Sequence, residues 1–251
     1  MPDNANPSRT TTHLHQKRIS STPNDPCGDS FDIAPATDRL RIWSNNINTL
    51  SLSHGLAEFR ELCDRLHKHN VDIIALQEIN LDTTQFAVRQ KILHVLKETF
   101  GAVKLILAST PVRKETTWKP GGVLLAIVGS CSQRVTTTQR DPYGRWCSAT
   151  LAGRDNQDIQ IYSAYQCVDV KARHTGDNTY YTQLWKLFRD DGERQPQPRQ
   201  RFISDLRTEL LAVKQKRVSV IVLGDFNETI GTNQPYADGF HLLRYWVDGR
   251  C

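Results

Sequence analysis

The segment Ile221 to Glu228, IVLGDFNE, constrains the rest of the chain more than any other. An aliphatic, β-branched run that breaks abruptly into an acid and, two residues later, an amide reads as a buried strand delivering polar groups at its end. Such a strand needs a layered fold around it. Two other segments share this grammar: Leu40 to Asn46 is a first strand closing on asparagines, and Val71 to Leu76 is a short apolar run stopping at Gln77 and Glu78. Three strand ends therefore present Asn46 with Asn48, Glu78, and Asp225 with Asn227.

The segments between them supply the layers. Leu52, Leu56, Phe59, Cys63 and Leu66 recur at helical spacing, and Asn70 can end that helix in a left-handed conformation. Residues 84–100 repeat the pattern, with Gly101 placed to stop it. Five extended segments follow (Val103 to Ala108, Val123 to Val128, Gln133 to Thr138, Trp146 to Leu151 and Ile159 to Tyr165) with no helical pattern among them, which predicts antiparallel hairpins. Helices are then expected near Thr179 to Arg189 and Arg199 to Lys214, before a strand from Val218 to Leu223. Helix–strand alternation at both ends with hairpins between predicts an α/β sandwich of two sheets covered by helices. A short helix is expected at His241 to Val247.

Residues 1–38 are rich in Pro, Ser, Thr, Asn and Asp without periodicity, and are expected to form a disordered tail before a single domain at 39–251. Those 38 residues hold three basic residues and five aspartates, so the chain's net charge of +5 becomes +7 over the remainder. A basic domain suits a polyanionic partner, although an ordinary basic surface reads the same way. No apolar run reaches the roughly 18 residues of a membrane span, and the N-terminus has no secretory h-region, so an intracellular address with no membrane partner is expected. The six cysteines form no CxxC pair and are expected as free thiols.

Carboxylates at strand ends suit Mg²⁺, which takes oxygen ligands and needs only one or two acids when a phosphate and waters complete its shell. Either Glu78 or Asp225 alone would read equally well as a loop cap; both closing β-rich runs favour a metal-assisted phosphoryl site. Arg145 and Trp146 are candidates to border the cleft, Trp146 either stacking on a base or packing in the core. Arg199 and Arg201 either touch phosphates or solubilise their helix. Lys119 to Gly122 reads as a flexible turn, lacking the pattern of a phosphate loop.

In order and spacing, SNNIN at 44–48, LQE at 76–78, SAY at 163–165 and GDFNE at 224–228 resemble the endonuclease/exonuclease/phosphatase superfamily of apurinic endonucleases and DNase I. GGVLLAIVG, DPYGRW, SAYQ and PQPRQRFISDL are most similar to the endonuclease domains of non-LTR retrotransposons and reverse-transcriptase-associated proteins. The resemblance implies a DNase I-like four-layer α/β sandwich, with two mixed, largely antiparallel sheets packed face to face and helices outside. It also implies Mg²⁺-dependent hydrolysis of nucleic acid, most simply DNA nicking, with Mn²⁺ able to substitute. By the same resemblance Glu78 binds the metal, Asp225 activates water, Asn227 and Asn46 hold the phosphate and the acid, and Tyr165 hydrogen-bonds a phosphate oxygen. Asn45 or Asn48 could take the place of Asn46. A linked reverse transcriptase and a nuclear address would follow from the retroelement likeness. Apurinic endonucleases carry an asparagine shortly after the tyrosine, where this chain has Gln166, Cys167 and Val168. Superfamily members also continue past GDxN into a further aspartate and a Ser-Asp-His motif. Here the only later histidine is His241, within GFHLLRYW, so a C-terminally truncated domain is expected. Two alternatives stay open: a non-catalytic DNA-binding remnant, and a phosphatase or phosphodiesterase acting on a small molecule or lipid.

Overall fold

The computed structural model describes residues 39–112, 116–154, 157–168, 179–216 and 218–228. The expected tail at 1–38 and the expected helix at His241 to Val247 lie outside the described residues. Within them the chain runs β1 (Ile42–Asn46), α1 (Ala57–Lys68), β2 (Ile73–Gln77), α2 (Phe86–Phe100), β3 (Val103–Ala108), β4 (Val123–Val128), β5 (Val135–Arg140), β6 (Trp146–Leu151), β7 (Ile159–Tyr165), α3 (Tyr180–Asp190), α4 (Pro198–Gln215) and β8 (Ser219–Asp225). Asn70 does take a left-handed backbone after α1, at φ 54°. β8 runs two residues beyond the expected strand, through Gly224 and Asp225.

Two four-stranded sheets form, ordered β1-β2-β4-β3 and β5-β6-β7-β8. The hairpin strands pair antiparallel, as expected, while β1 with β2 and β7 with β8 pair parallel. Each parallel pair is joined through helix, α1 in one case and α3 with α4 in the other, because parallel strands need a long crossover. The C-terminal ends of β1 and β2 therefore lie side by side, as do those of β7 and β8, and a hydrogen bond from Asn46 to Asp225 brings the two pairs of ends together.

Period-two alternation sorts the core into three layers of side chains. Ile74 and Leu76 of β2 pack outward with Phe59, Cys63, Val88 and Ile92 of α1 and α2. Ile73, Ala75, Leu125 and Ile127 meet Cys147, Ala149 and Ile161 between the sheets. Tyr162, Ala164 and Val222 pack outward against Phe202, Leu206 and Leu210 of α4. The architecture is thus the expected four-layer α/β sandwich. Among the described residues no helix is long and apolar enough to cross a membrane.

Candidate active site

Alternation dictates which strand-end residues can meet. Even-numbered residues of β1 and odd-numbered residues of β7 and β8 face the space between the sheets, where Ile42, Ile161, Ile221 and Leu223 pack. Asn46, Tyr165 and Asp225 continue those inward rows to the strand ends. Glu78 breaks the rule: alternation would place it with Ile74 and Leu76 on the helix-facing side. Its backbone instead turns left-handed, φ 55°, and this redirects the carboxylate inward.

The result is one cluster. The Asn46 side-chain amide donates from Nδ2 to Glu78 Oε2 at 2.9 Å and to Asp225 Oδ2 at 2.6 Å. A neutral amide set between two carboxylates holds them close without supplying a charge that would cancel theirs. The Asn46 Oδ1 accepts from the Asn48 backbone N–H at 2.9 Å, fixing the amide's orientation. Asn46 is therefore the asparagine of SNNIN that enters the site. Asn45 lines a groove between β1 and α1 together with Trp43, Ile47 and Leu62, and Asn48 contributes its backbone.

Tyr165 is buried, and burial pushes its hydroxyl's pKa up; the Glu78 carboxylate then adds its charge and a hydrogen bond, and Asp225 further charge. The phenol stays protonated and acts as a donor to the Glu78 carboxylate. Its ring stacks on Tyr180 at 5.4 Å between centroids, and Tyr180 passes over Gly121 so closely that a Cβ there would lie 2.4 Å from the ring. Below the cluster Gln77 Nε2 crosses between the sheets to Ser163 Oγ at 3.1 Å, so the polar residues of LQE and SAY tie the two sheets beneath the site. Asn227, with φ 48°, donates its backbone N–H to Asp225 Oδ1 at 2.9 Å and its amide to the Gln166 carbonyl at 2.7 Å.

Two candidates fall elsewhere. Arg145 does not border the cleft: it is buried, bidentate to Asp141 at 2.8 Å on both oxygens, and bonded to Asp205 at 2.7 Å. Burial works against its charge, but the two carboxylates outweigh this and raise its pKa. Trp146 packs edge-on against Phe202 in the outer core with the Arg145 guanidinium over its ring. DPYGRW is thus a folded turn held by its own ion pair. Lys119 is likewise buried, paired with Asp82 at 2.7 Å. Arg201 pairs with Asp205 and Glu193. The residues that sequence reasoning missed are Tyr180 and Gly121; neither sits in a strand-end motif, and a large aromatic facing a distant glycine leaves no local signal.

Among the described residues no three His, Cys, Asp or Glu side chains gather as a metal cluster. The donor set of Glu78 and Asp225, two half-buried carboxylates with hard oxygens, still fits Mg²⁺, because such an ion is commonly held by one or two acids with waters and substrate phosphate completing its shell.

A family model described as "Endonuclease/Exonuclease/phosphatase family" matches residues 46–243, well over half of the chain. No curated protein sequence matches. Among solved structures, the chain is similar to an endonuclease/exonuclease/phosphatase family protein from Leptotrichia buccalis, with 12% identity, a TM-score of 0.46, and coverage of 83% of this chain and 74% of that one. It is similar to a 3′ phosphatase from Neisseria bound to a product DNA hairpin, with 16% identity, a TM-score of 0.44, and coverage of 75% and 58%. It is also similar to an AP endonuclease from Leishmania major, with 14% identity, a TM-score of 0.47, and coverage of 74% and 54%. The chain thus spans little more than half the length of the latter two.

Proposed function

Because the chain belongs to the endonuclease/exonuclease/phosphatase family, we propose that its strand-end cluster hydrolyses phosphodiester bonds of nucleic acid in a Mg²⁺-dependent reaction, nicking DNA in the manner of a retroelement endonuclease. The observation that carries this is the single Asn46 amide hydrogen-bonded to both Glu78 and Asp225, from strands at opposite ends of the chain. A pair of acids drawn together at a cleft end, and kept apart from any neutralising arginine or lysine in the described hydrogen bonds, is built to receive a cation and a phosphate.

In this reading Glu78 and Asp225 would hold the ion, which when bound would supply positive charge to the phosphate oxygens and to the leaving 3′ oxygen. Asp225 orients a water and takes its proton as the oxygen attacks phosphorus in line with the leaving group. Asn46 spends both amide hydrogens on the acids, so it holds the acids rather than the phosphate. Tyr165, kept protonated, has one hydroxyl hydrogen, given to Glu78 until a bound phosphate oxygen takes it, and the second amide hydrogen of Asn227 is left for the same phosphate. The +7 charge beyond residue 38 favours a polyanionic substrate. The motifs GGVLLAIVG, DPYGRW and PQPRQRFISDL support the retroelement assignment, with a linked reverse transcriptase, a nuclear address and a single nuclease domain from residue 39 onward.

The test is conversion of supercoiled plasmid to its nicked form. Wild-type protein nicks with Mg²⁺ and stops on chelation, and Asp225→Ala lowers the rate by about 10²-fold or more. Salt-sensitive DNA binding without nicking would replace this reading with a binding remnant. Faster turnover of inositol phosphates or sphingomyelin than of DNA would replace it with a small-molecule or lipid phosphodiesterase.

A further inference from the structure

We propose that Arg199 is a positioning residue of this site, clamping the ends of β7 and β8 at the separation that Tyr165, Asp225 and Asn227 need; the inference rests on the hydrolase reading above. Beyond Tyr165 and Asp225 the two strands stop pairing regularly. The Gln166 N–H still reaches the Asp225 carbonyl at 2.9 Å, and the Asn227 amide reaches back to Gln166. One step further out, the carbonyls of Cys167 and Asn227 have left the ladder. The Arg199 guanidinium collects both: Nη1 donates to Cys167 O at 2.6 Å and Nη2 to Asn227 O at 3.1 Å. Nη2 also donates to Glu228 Oε1 at 2.5 Å, which balances the charge.

The placement is built from rigid parts. Arg199 follows Pro198, which opens α4 with a backbone angle already suited to a helix, and α4 is anchored by Phe202 and Leu206 in the outer core. The side chain is 18% exposed, and its donors point at strand ends rather than at solvent. A planar fork can span two carbonyls and a carboxylate together, which the single ammonium of lysine cannot do with the same geometry. Asn227 depends most on this support, because it holds a left-handed backbone while its N–H orients Asp225. A displacement of about 1 Å in reacting groups costs on the order of 10²-fold in rate, so loosening this clamp reaches the chemistry without touching substrate.

The experiment compares wild type, Arg199→Lys and Arg199→Ala in the full chain, by steady-state hydrolysis of a duplex oligonucleotide with Mg²⁺ and by amide hydrogen exchange. Positioning predicts kcat down about 10²-fold in Arg199→Ala with KM nearly unchanged, partial recovery with added guanidinium, and little recovery in Arg199→Lys. It also predicts faster exchange at the Gln166 and Asn227 amides with α1 and α2 still protected. A raised KM with kcat retained would make Arg199 a phosphate contact and overturn the inference, as would unchanged exchange at both amides. If wild type hydrolyses nothing, the hydrolase reading fails on its own, while the exchange data still decide whether Arg199 holds the strand ends.

Discussion

The residue with most leverage outside the cluster is Asp82, four positions past Glu78. It is 1% exposed, faces Lys119 at 0%, and also accepts from the Thr84 N–H at 3.0 Å and the Thr84 hydroxyl at 2.6 Å. Lys119 Nζ donates besides to the Thr110 carbonyl at 2.8 Å, so the pair ties together the loops that follow β2 and β3. Burial alone would raise the Asp82 pKa, but the hydrogen bonds from Lys119 and Thr84 outweigh it and hold the carboxyl below its ordinary 3.8. A depressed carboxyl contributes stability that is complete above 3.8 and is lost as pH falls through the lower, folded value. Thermal unfolding between about pH 5 and about pH 2 should therefore show a steep loss in wild type and a shallower one in Asp82→Asn. Equal slopes would show that Asp82 does not drive the acid response. At neutral pH, Lys119→Ala should cost about 3–5 kcal/mol, because it leaves a buried carboxylate without its partner. Little of this was legible beforehand. Lys119 reads as part of a flexible turn because lysine beside Pro-Gly-Gly is usually solvated, and its partner lies 37 positions away across two loops. Arg145 misleads for the same reason: one of its acids, Asp141, is local, but the second, Asp205, comes from α4.

Among the elements, β8 couples fold to chemistry most directly. Gly224 runs so close to β7 that a Cβ built on it would lie 2.2 Å from the Ala164 carbonyl oxygen. Gly224→Ala must therefore push β8 away just before Asp225. Overpacking of this kind costs about 1–3 kcal/mol, and the displaced residues are Asp225 and Asn227, so activity should fall by far more than the stability loss implies. Val222→Ala, on the outward face of the same strand, serves as the comparison: it loses stability through a cavity and keeps its rate. If both variants lose activity in proportion to stability, the local displacement is absent. Strands and helices were readable here because hydrophobic period and glycine or asparagine stops agree at almost every boundary. The inward positions of Asn46, Tyr165 and Asp225 follow from that period. Glu78 does not, because a non-glycine residue in a left-handed backbone gives no compositional warning; only the assembled sheet shows that its carboxylate has turned inward.

For the whole molecule, the sequence pattern anticipated two sheets and outer helices, since β-rich hairpins between helix–strand alternations admit few arrangements. Which strands lie side by side depends on pairings between distant segments, and those are set by packing rather than by local preference. The sandwich also shields its thiols. Cys63, Cys131, Cys147 and Cys167 are buried and form no disulfide with one another, and burial pushes Cys63 up to about 12 and Cys131 up to about 11. Alkylation followed by peptide mapping should leave all four unmodified in the native protein and label them only at the rate of global unfolding. Labelling of Cys147 without unfolding would contradict the packing between the sheets. The Asn46 bridge also spans 179 residues of sequence. Closing a loop of that length is entropically costly and slow, and on a ribosome neither half of the chain can complete the cluster before β8 has emerged. A nascent chain therefore carries Asn46 and Glu78 without Asp225 until β8 has been made, and the three side chains can gather only once that strand pairs with β7.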